Sequence, residues 1–290
     1  MTTAAHPTHH RENDFASEHH VYEPHIVGLP PLGAYLREAW RRRAFAFELS
    51  RTKLRAQHYN TVFGQLWLVL NPLLLSFVYF ILVDILRGGS NRPGFFAHLV
   101  AGIFAYHLVS DAVRQGTRSV VSGGRLILNS AFPRVLLPTS AVIMAVKKFV
   151  PTAVIYIPLH LASGLPITWT QLWVLPILFL LIVLSMGLAM IVGAVQVYFR
   201  DLKAFVPYVL RVWLFVSPVL YFADEMPEKY RWLLDANPLG RLLENWSLVI
   251  NQGQPPEAAG MLVGAAWAFG FLIVGFLFFV SREREFAVRL

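Results

Sequence analysis

Long apolar runs decide what this chain can fold into. Six stretches carry the pattern: Phe63–Leu86, Gly94–Val113, Pro138–Ser163, Thr168–Tyr198, Ala204–Phe222 and Ala258–Val280. A helix needs about 20 apolar residues to cross roughly 30 Å of hydrocarbon. The expected fold is therefore all-α and integral to a membrane, with six transmembrane helices. Composition agrees, since 56% of the 290 residues are hydrophobic and only 14% are charged, too few for the surface of a soluble domain. The third and fourth runs are joined by the tight, uncharged Gly164–Thr168, which makes them a helical hairpin. The first 60 residues lack an apolar core, so no signal peptide is expected.

Basic residues give the orientation. Segments 1–62, 114–134, 199–203 and 281–290 together hold 17 Lys and Arg, and the segments on the opposite side hold 5. By the positive-inside rule both termini are cytoplasmic. The net charge of +8 is thus a topology signal and does not point to nucleic acid.

Three regions follow in order. Residues 1–29 are polar, hold six of the ten histidines, and read as a disordered tail. Residues 30–60 place Leu32, Tyr35, Leu36, Ala39 and Trp40 on one helical face, with Arg37, Glu38, Arg41 and Arg42 opposite. That pattern fits an amphipathic helix on the cytoplasmic leaflet. Residues 61–290 form the six-span domain.

Several chemistries are excluded. The chain has no cysteine, so it has neither disulfides nor thiolate metal ligands. Pro7 interrupts the helical pairing of His6 with His10, and no metal site is expected. No G-x-x-x-x-G-K-[ST] phosphate loop occurs, and the glycine-rich stretches around Gly88–Gly94 and Gly123–Gly124 read as loops. The spans contain few carboxylates, with Asp84 near one end of the first and Asp111, one turn from Arg114, in the second. A transporter subunit fits better than an enzyme, with no catalytic residues.

What remains are basic groups inside the spans. Lys147, Lys148 and Arg211 each carry a cost of about 2.5–3.5 kcal/mol at mid-helix on insertion scales. They suit a wet channel or an anionic ligand, or else they snorkel to the interface. Tyr208, Trp213, Phe215 and Tyr221 accompany Arg211 and offer stacking surfaces for sugars, or ordinary packing.

Before the last run lies "RWLLDANPLGRLLENW", from Arg231 to Trp246. It is too broken to span and too apolar for an open loop. Glu228–Ala236 would form one short helix, and Asn237 would cap a second beginning at Pro238. The pair would be an outer gate closed by Trp232, Leu233, Leu239, Leu242 and Leu243, or a hairpin lying flat on the outer leaflet.

Four motifs carry a family resemblance. "FGQLWLVLNPLLL" (Gly64, Trp67, Pro72), "FPRVLLP" (Pro133), "YFRDLKAFVPYVLRVWLFVSPVLY" (Arg200, Asp201, Pro218) and "NPLGRLLENW" occur in this order. They resemble the membrane permeases of ABC transporters that export O-antigen, capsule and teichoic acid. The resemblance implies a homodimer in the bacterial inner membrane, with short re-entrant helices between the fifth and sixth spans. It implies two copies of a separate cytoplasmic subunit that binds ATP and Mg. It implies a polyprenyl-pyrophosphate-linked polysaccharide as cargo. Arg outnumbers Lys 20 to 5, as in GC-rich genomes; in actinobacteria such permeases export cell-wall galactan, so galactan and O-antigen are the polymers to expect. The alternative is an ABC permease for a smaller lipid or drug. The ATPase would dock on Glu48–Asn60 and Arg114–Arg134, using Arg51, Lys53, Arg55, Arg118 and Arg125.

Overall fold

A computed structural model describes residues 31–57, 63–89 and 92–290. The expected tail at 1–29, with its histidines, and the last residues of the 30–60 segment lie outside the described residues. Among the described residues every regular element is helical. In chain order these are α1 (Leu32–Arg41), α2 (Arg43–Gln57), α3 (Trp67–Leu86), α4 (Phe95–Ser122), α5 (Gly124–Asn129), α6 (Leu136–Ala162), α7 (Val174–Tyr198), α8 (Leu202–Val216), α9 (Trp232–Ala236), α10 (Gly240–Asn251), α11 (Ala258–Arg282) and α12 (Phe286–Arg289).

Five helical stretches are long and apolar enough to cross a membrane: Gly64–Leu86, Phe95–Ser122, Leu136–Ala162, Trp169–Tyr198 and Ala258–Arg289. The chain is a multi-pass membrane protein. The fifth expected span, Ala204–Phe222, is not one long helix. α8 has 15 residues, or about 22 Å, and stops before Pro218. Proline disfavours helical geometry in the residue before it, and Ser217 is extended at φ −91°, ψ 147°. The chain then continues as a buried non-helical segment, with Ser217, Pro218, Val219 and Leu220 all enclosed.

The most enclosed span is α4, which packs against α3, α6, α7, α8 and α10. Buried positions run all round its circumference, so most of the helix meets protein neighbours. Small residues let the backbones come close, as is usual where helices associate in lipid. A Cβ at Gly116 would lie 2.6 Å from the Cβ of Ala189. A Cβ at Gly187 would fall on the backbone carbonyl of Phe271, and one at Gly275 on the carbonyl of Gly187. These contacts fix the crossings of α7 with α4 and with α11.

The expected single amphipathic helix is two helices, broken at Arg42. Leu36 and Trp40 stay exposed, while Tyr35 and Ala39 turn inward. Tyr35 Oη donates to Glu283 Oε2 at 2.5 Å, and Arg42 Nη1 donates to the carbonyl of Ala131 at 2.7 Å. Burial and the Glu283 carboxylate push the Tyr35 phenol well above its ordinary range. α2 packs along α6, burying Ala46 and Ser50. The glycine-rich stretch after α4 is not all loop, since Gly124–Asn129 forms α5.

Candidate functional site

A cleft of about 380 Å³ opens between α3, α4 and α6, and Gln57 at the end of α2 reaches it. Its polar lining comes from Asn71, His107, Asp111, Arg114, Lys148 and Thr152. On α4, His107, Asp111 and Arg114 share a face because they are four and three residues apart. α6 supplies Lys148 from the other side. Asp111 Oδ2 lies 3.7 Å from Lys148 Nζ, and Asp111 Oδ1 lies 3.4 Å from Arg114 Nη2. One carboxylate thus stands between two cations, which leaves the cleft with an excess of positive charge. The Nε of Arg114 is buried and has no hydrogen-bond partner among the described residues. Such a cleft can accept an anion with several oxygens, because guanidinium and ammonium donors form charge-assisted hydrogen bonds to them.

The two adjacent lysines do different things. Lys148 faces the cleft. Lys147, expected beside it, turns to α2, donating to Ser50 Oγ at 2.7 Å and to the carbonyl of Phe47 at 3.2 Å. Consecutive residues point about 100° apart on a helix, so the two side chains meet different neighbours. The Asp111–Arg114 pair was legible from spacing. The contribution of Lys148 to it was not, nor were those of His107 and Asn71; a polar residue one turn from Asp111 was the available signal for His107.

α8 separates the expected channel residues. Val206, Leu210 and Leu214 are buried, while Phe205, Tyr208, Arg211, Val212 and Phe215 form an exposed face. Trp213 belongs to neither: its Nε1 donates to Asn237 Oδ1 at 2.7 Å. Tyr221 Oη donates to the carbonyl of Val216 at 3.1 Å, stitching the segment after α8 to that helix. None of these aromatics shares the polar cleft.

Asn237 joins three elements. Besides the Trp213 bond, its Nδ2 donates to Ser217 Oγ at 3.0 Å and its Oδ1 accepts from the Leu239 N–H at 3.0 Å. Pro238 and Leu239 complete a turn, and α10 starts at Gly240. A side chain at Gly240 would strike the backbone of Leu234. Leu239, Leu242 and Leu243 are fully buried, and α10 packs against α4, α7 and α11. Three expectations need correction. The second helix begins at Gly240 and not at Pro238, so Leu239 and not Asn237 stands at its N-cap. Glu228–Ala236 is not one helix but a 3-10 turn at Glu228–Tyr230 followed by the five-residue α9. Trp232 does not join the leucine packing: it is 61% exposed, and Leu234 fills the interior instead. The reason is register, since two residues in a helix lie on nearly opposite faces.

Arg51 and Arg55 are exposed on α2, Arg118 on the last turns of α4, and Arg125 on α5. Lys53 is drawn inward, and burial holds its ammonium below the ordinary lysine range. Of the motif residues, Gly64 takes a positive φ of 49° before α3. Trp67 begins α3, and Pro72 is buried inside it. Pro133 is buried before α6. Arg200 Nη2 donates to the carbonyl of Arg289 at 2.9 Å, tying the start of α8 to α12, and Asp201 is exposed beside it.

Comparison with known proteins places these elements in a lineage. An O-antigen export system permease protein RfbA from Myxococcus xanthus is 28% identical over 254 residues, covering 87% of this chain and 97% of its own length. One of the same name from Klebsiella pneumoniae is 26% identical over 243 residues, covering 82% of this chain and 92% of its own. A second from that organism is 24% identical over 199 residues, 68% of this chain and 76% of its own. The model of the ABC-2 type transporter family matches residues 48–252, from α2 to the end of α10. That is well over half of the chain, and the chain belongs to the ABC-2 type transporter family.

Proposed function

We propose that this chain is the transmembrane subunit of an ATP-driven exporter that carries a polyprenyl-pyrophosphate-linked polysaccharide of the O-antigen kind across the bacterial cytoplasmic membrane. The observation that carries this reading is the similarity to permeases named for O-antigen export, over most of their length and of this chain. The cleft adds chemistry. A pyrophosphate would take the donors of Lys148 and Arg114 in competition with the Asp111 carboxylate.

The same reading orders the rest. α8 and the non-helical segment after it make a sixth crossing, with both termini cytoplasmic as the basic residues suggest. Two copies of the chain face one another across the exposed side of α8. Tyr208, Phe215 and Arg211 would line the path between them, where aromatic faces suit sugar rings and spare the cost of desolvating hydroxyls. Trp213, Tyr221, Asn237 and the leucines of α10 then close its outer mouth. Two copies of a cytoplasmic ATP-binding subunit engage Arg51, Lys53, Arg55, Arg118 and Arg125. ATP and Mg belong to that partner.

Depletion in the native cell tests this. Lipid-linked glycan should accumulate on the cytoplasmic side and disappear from the surface. Normal surface glycan after depletion would refute it, and accumulation of a small lipid or drug instead would favour an ABC permease for that cargo.

A further inference from the structure

A groove of about 710 Å³ lies between the α1–α2 pair and the bundle, walled by α6, α7 and α11. Val135, Leu136 and Met190 are buried along it, and Trp40, Phe47 and Ile273 stand exposed at its rim. It starts at the helix ends beside α1 and follows the spans inward. From Leu136 to Ile143 on α6 is about 10 Å, and from Arg282 back to Leu272 on α11 is about 15 Å. Half of a hydrocarbon core is roughly 15 Å. The groove is therefore about as deep as the leaflet on the α1 side.

Among the described residues, Arg43 is the one charged side chain in its lining. Three arginines stand in a row where α1 meets α2, and their surroundings differ. Glu38 pairs with Arg41 at 2.7 Å and also with Arg42. No carboxylate among the described residues pairs with Arg43. Its Nη1 donates to the carbonyl of Trp40 at 3.2 Å, and its guanidinium lies 4.6 Å from the centroid of the Trp40 ring. A guanidinium carries five donors, so most of those on Arg43 are free for a ligand. Deeper in the groove, the hydroxyl of Thr139 is already spent on the carbonyl of Val135 at 2.8 Å. The depth of the groove thus suits a hydrocarbon chain, and its rim suits one anion.

We propose that this groove seats one anionic glycerophospholipid, with an acyl chain laid along α6 and α11 toward Leu272 and its phosphodiester on Arg43. One unpaired guanidinium balances the single charge of a phosphodiester. A pyrophosphate carries more charge than Arg43 alone can balance, and a long polyprenyl tail exceeds a groove one leaflet deep. The site is separate from the polar cleft, with which it shares no lining residue. Bound there, the lipid packs the α1–α2 pair onto the spans where protein atoms do not.

Native mass spectrometry of the purified full chain tests this, with dioleoyl phosphatidylglycerol and dioleoyl phosphatidylcholine as probes. The two share their acyl chains and differ in net charge. The anionic lipid should bind one per chain and about tenfold more tightly, as one charge-assisted hydrogen bond implies. Arg43→Gln should bring it to the phosphatidylcholine value and leave phosphatidylcholine unchanged. Arg41→Gln removes an equal charge nearby but should keep the preference, because Arg41 is paired with Glu38 and lies outside the groove. Equal binding of the two lipids by the unaltered chain would overturn the proposal. So would equal losses in the two variants, which would reduce the effect to diffuse attraction between basic residues and anionic lipid. Undecaprenyl phosphate that binds more tightly than phosphatidylglycerol, and loses its binding in Arg43→Gln, would overturn the choice of occupant.

Discussion

Lys148 Nζ stands 3.7 Å from Asp111 Oδ2, joining two helices through a half-buried ion pair, while Lys147, its neighbour in the chain, is bonded to α2. The contrast turns a pair of like residues into an internal control. Lys148→Gln should lower export by roughly 10- to 100-fold, the worth of one charge-assisted hydrogen bond to cargo. Lys147→Gln should lower thermal stability by detaching α2 and leave the affinity for cargo unchanged. Transport assays on both variants decide it; equal losses of cargo affinity would mean the cleft has no special role.

The close crossing of α7 and α11 predicts a stability contrast. Gly187→Ala must push α11 away, at a cost of about 1–3 kcal/mol, the usual range for overpacking. Gly270→Ala meets nothing within 4 Å of its new Cβ and should stay within about 0.5 kcal/mol of the parent. Thermal unfolding in detergent would measure both, with a visible drop in Tm for the first alone.

Asn237 is held by Trp213, Ser217 and the Leu239 N–H. Asn237→Ala strands buried donors in two elements, each costing about 1–3 kcal/mol. Lower Tm and faster proteolysis near α9 are expected, whereas a stable variant would mean water replaces the side chain without loss.

Single cysteines can follow the mouth, since the chain has none of its own. Leu239 and Leu243 are at most 1% exposed, so cysteines there should resist an impermeant thiol reagent at rest and react during turnover. A cysteine at exposed Trp232 should react in both conditions. Equal labelling of Leu239→Cys at rest and during export would rule out gating by α10.

The spans were legible because lipid leaves a helix few options, and a run of about 20 apolar residues is visible without any contact information. The interruption of the fifth apolar run was less so. Ser217–Pro218 carries the local signal for a stop, but hydrophobicity continues through it to Phe222. Asn237 was expected to cap a helix from Pro238, whereas its side chain holds the turn before Gly240; its bond to Trp213 spans 24 positions and no local pattern encodes it. The split roles of Lys147 and Lys148 depend on where α2 docks, which is a tertiary fact.

Reconstitution measures the central claim most directly. Vesicles would contain this chain with its ATP-binding subunit and a polyprenyl-pyrophosphate-linked polysaccharide, and the polymer reaching the far leaflet would be quantified with and without ATP. Translocation should require both subunits and ATP, and the chain alone should hydrolyse none. Polymer crossing at the same rate without the partner or without ATP would contradict the account.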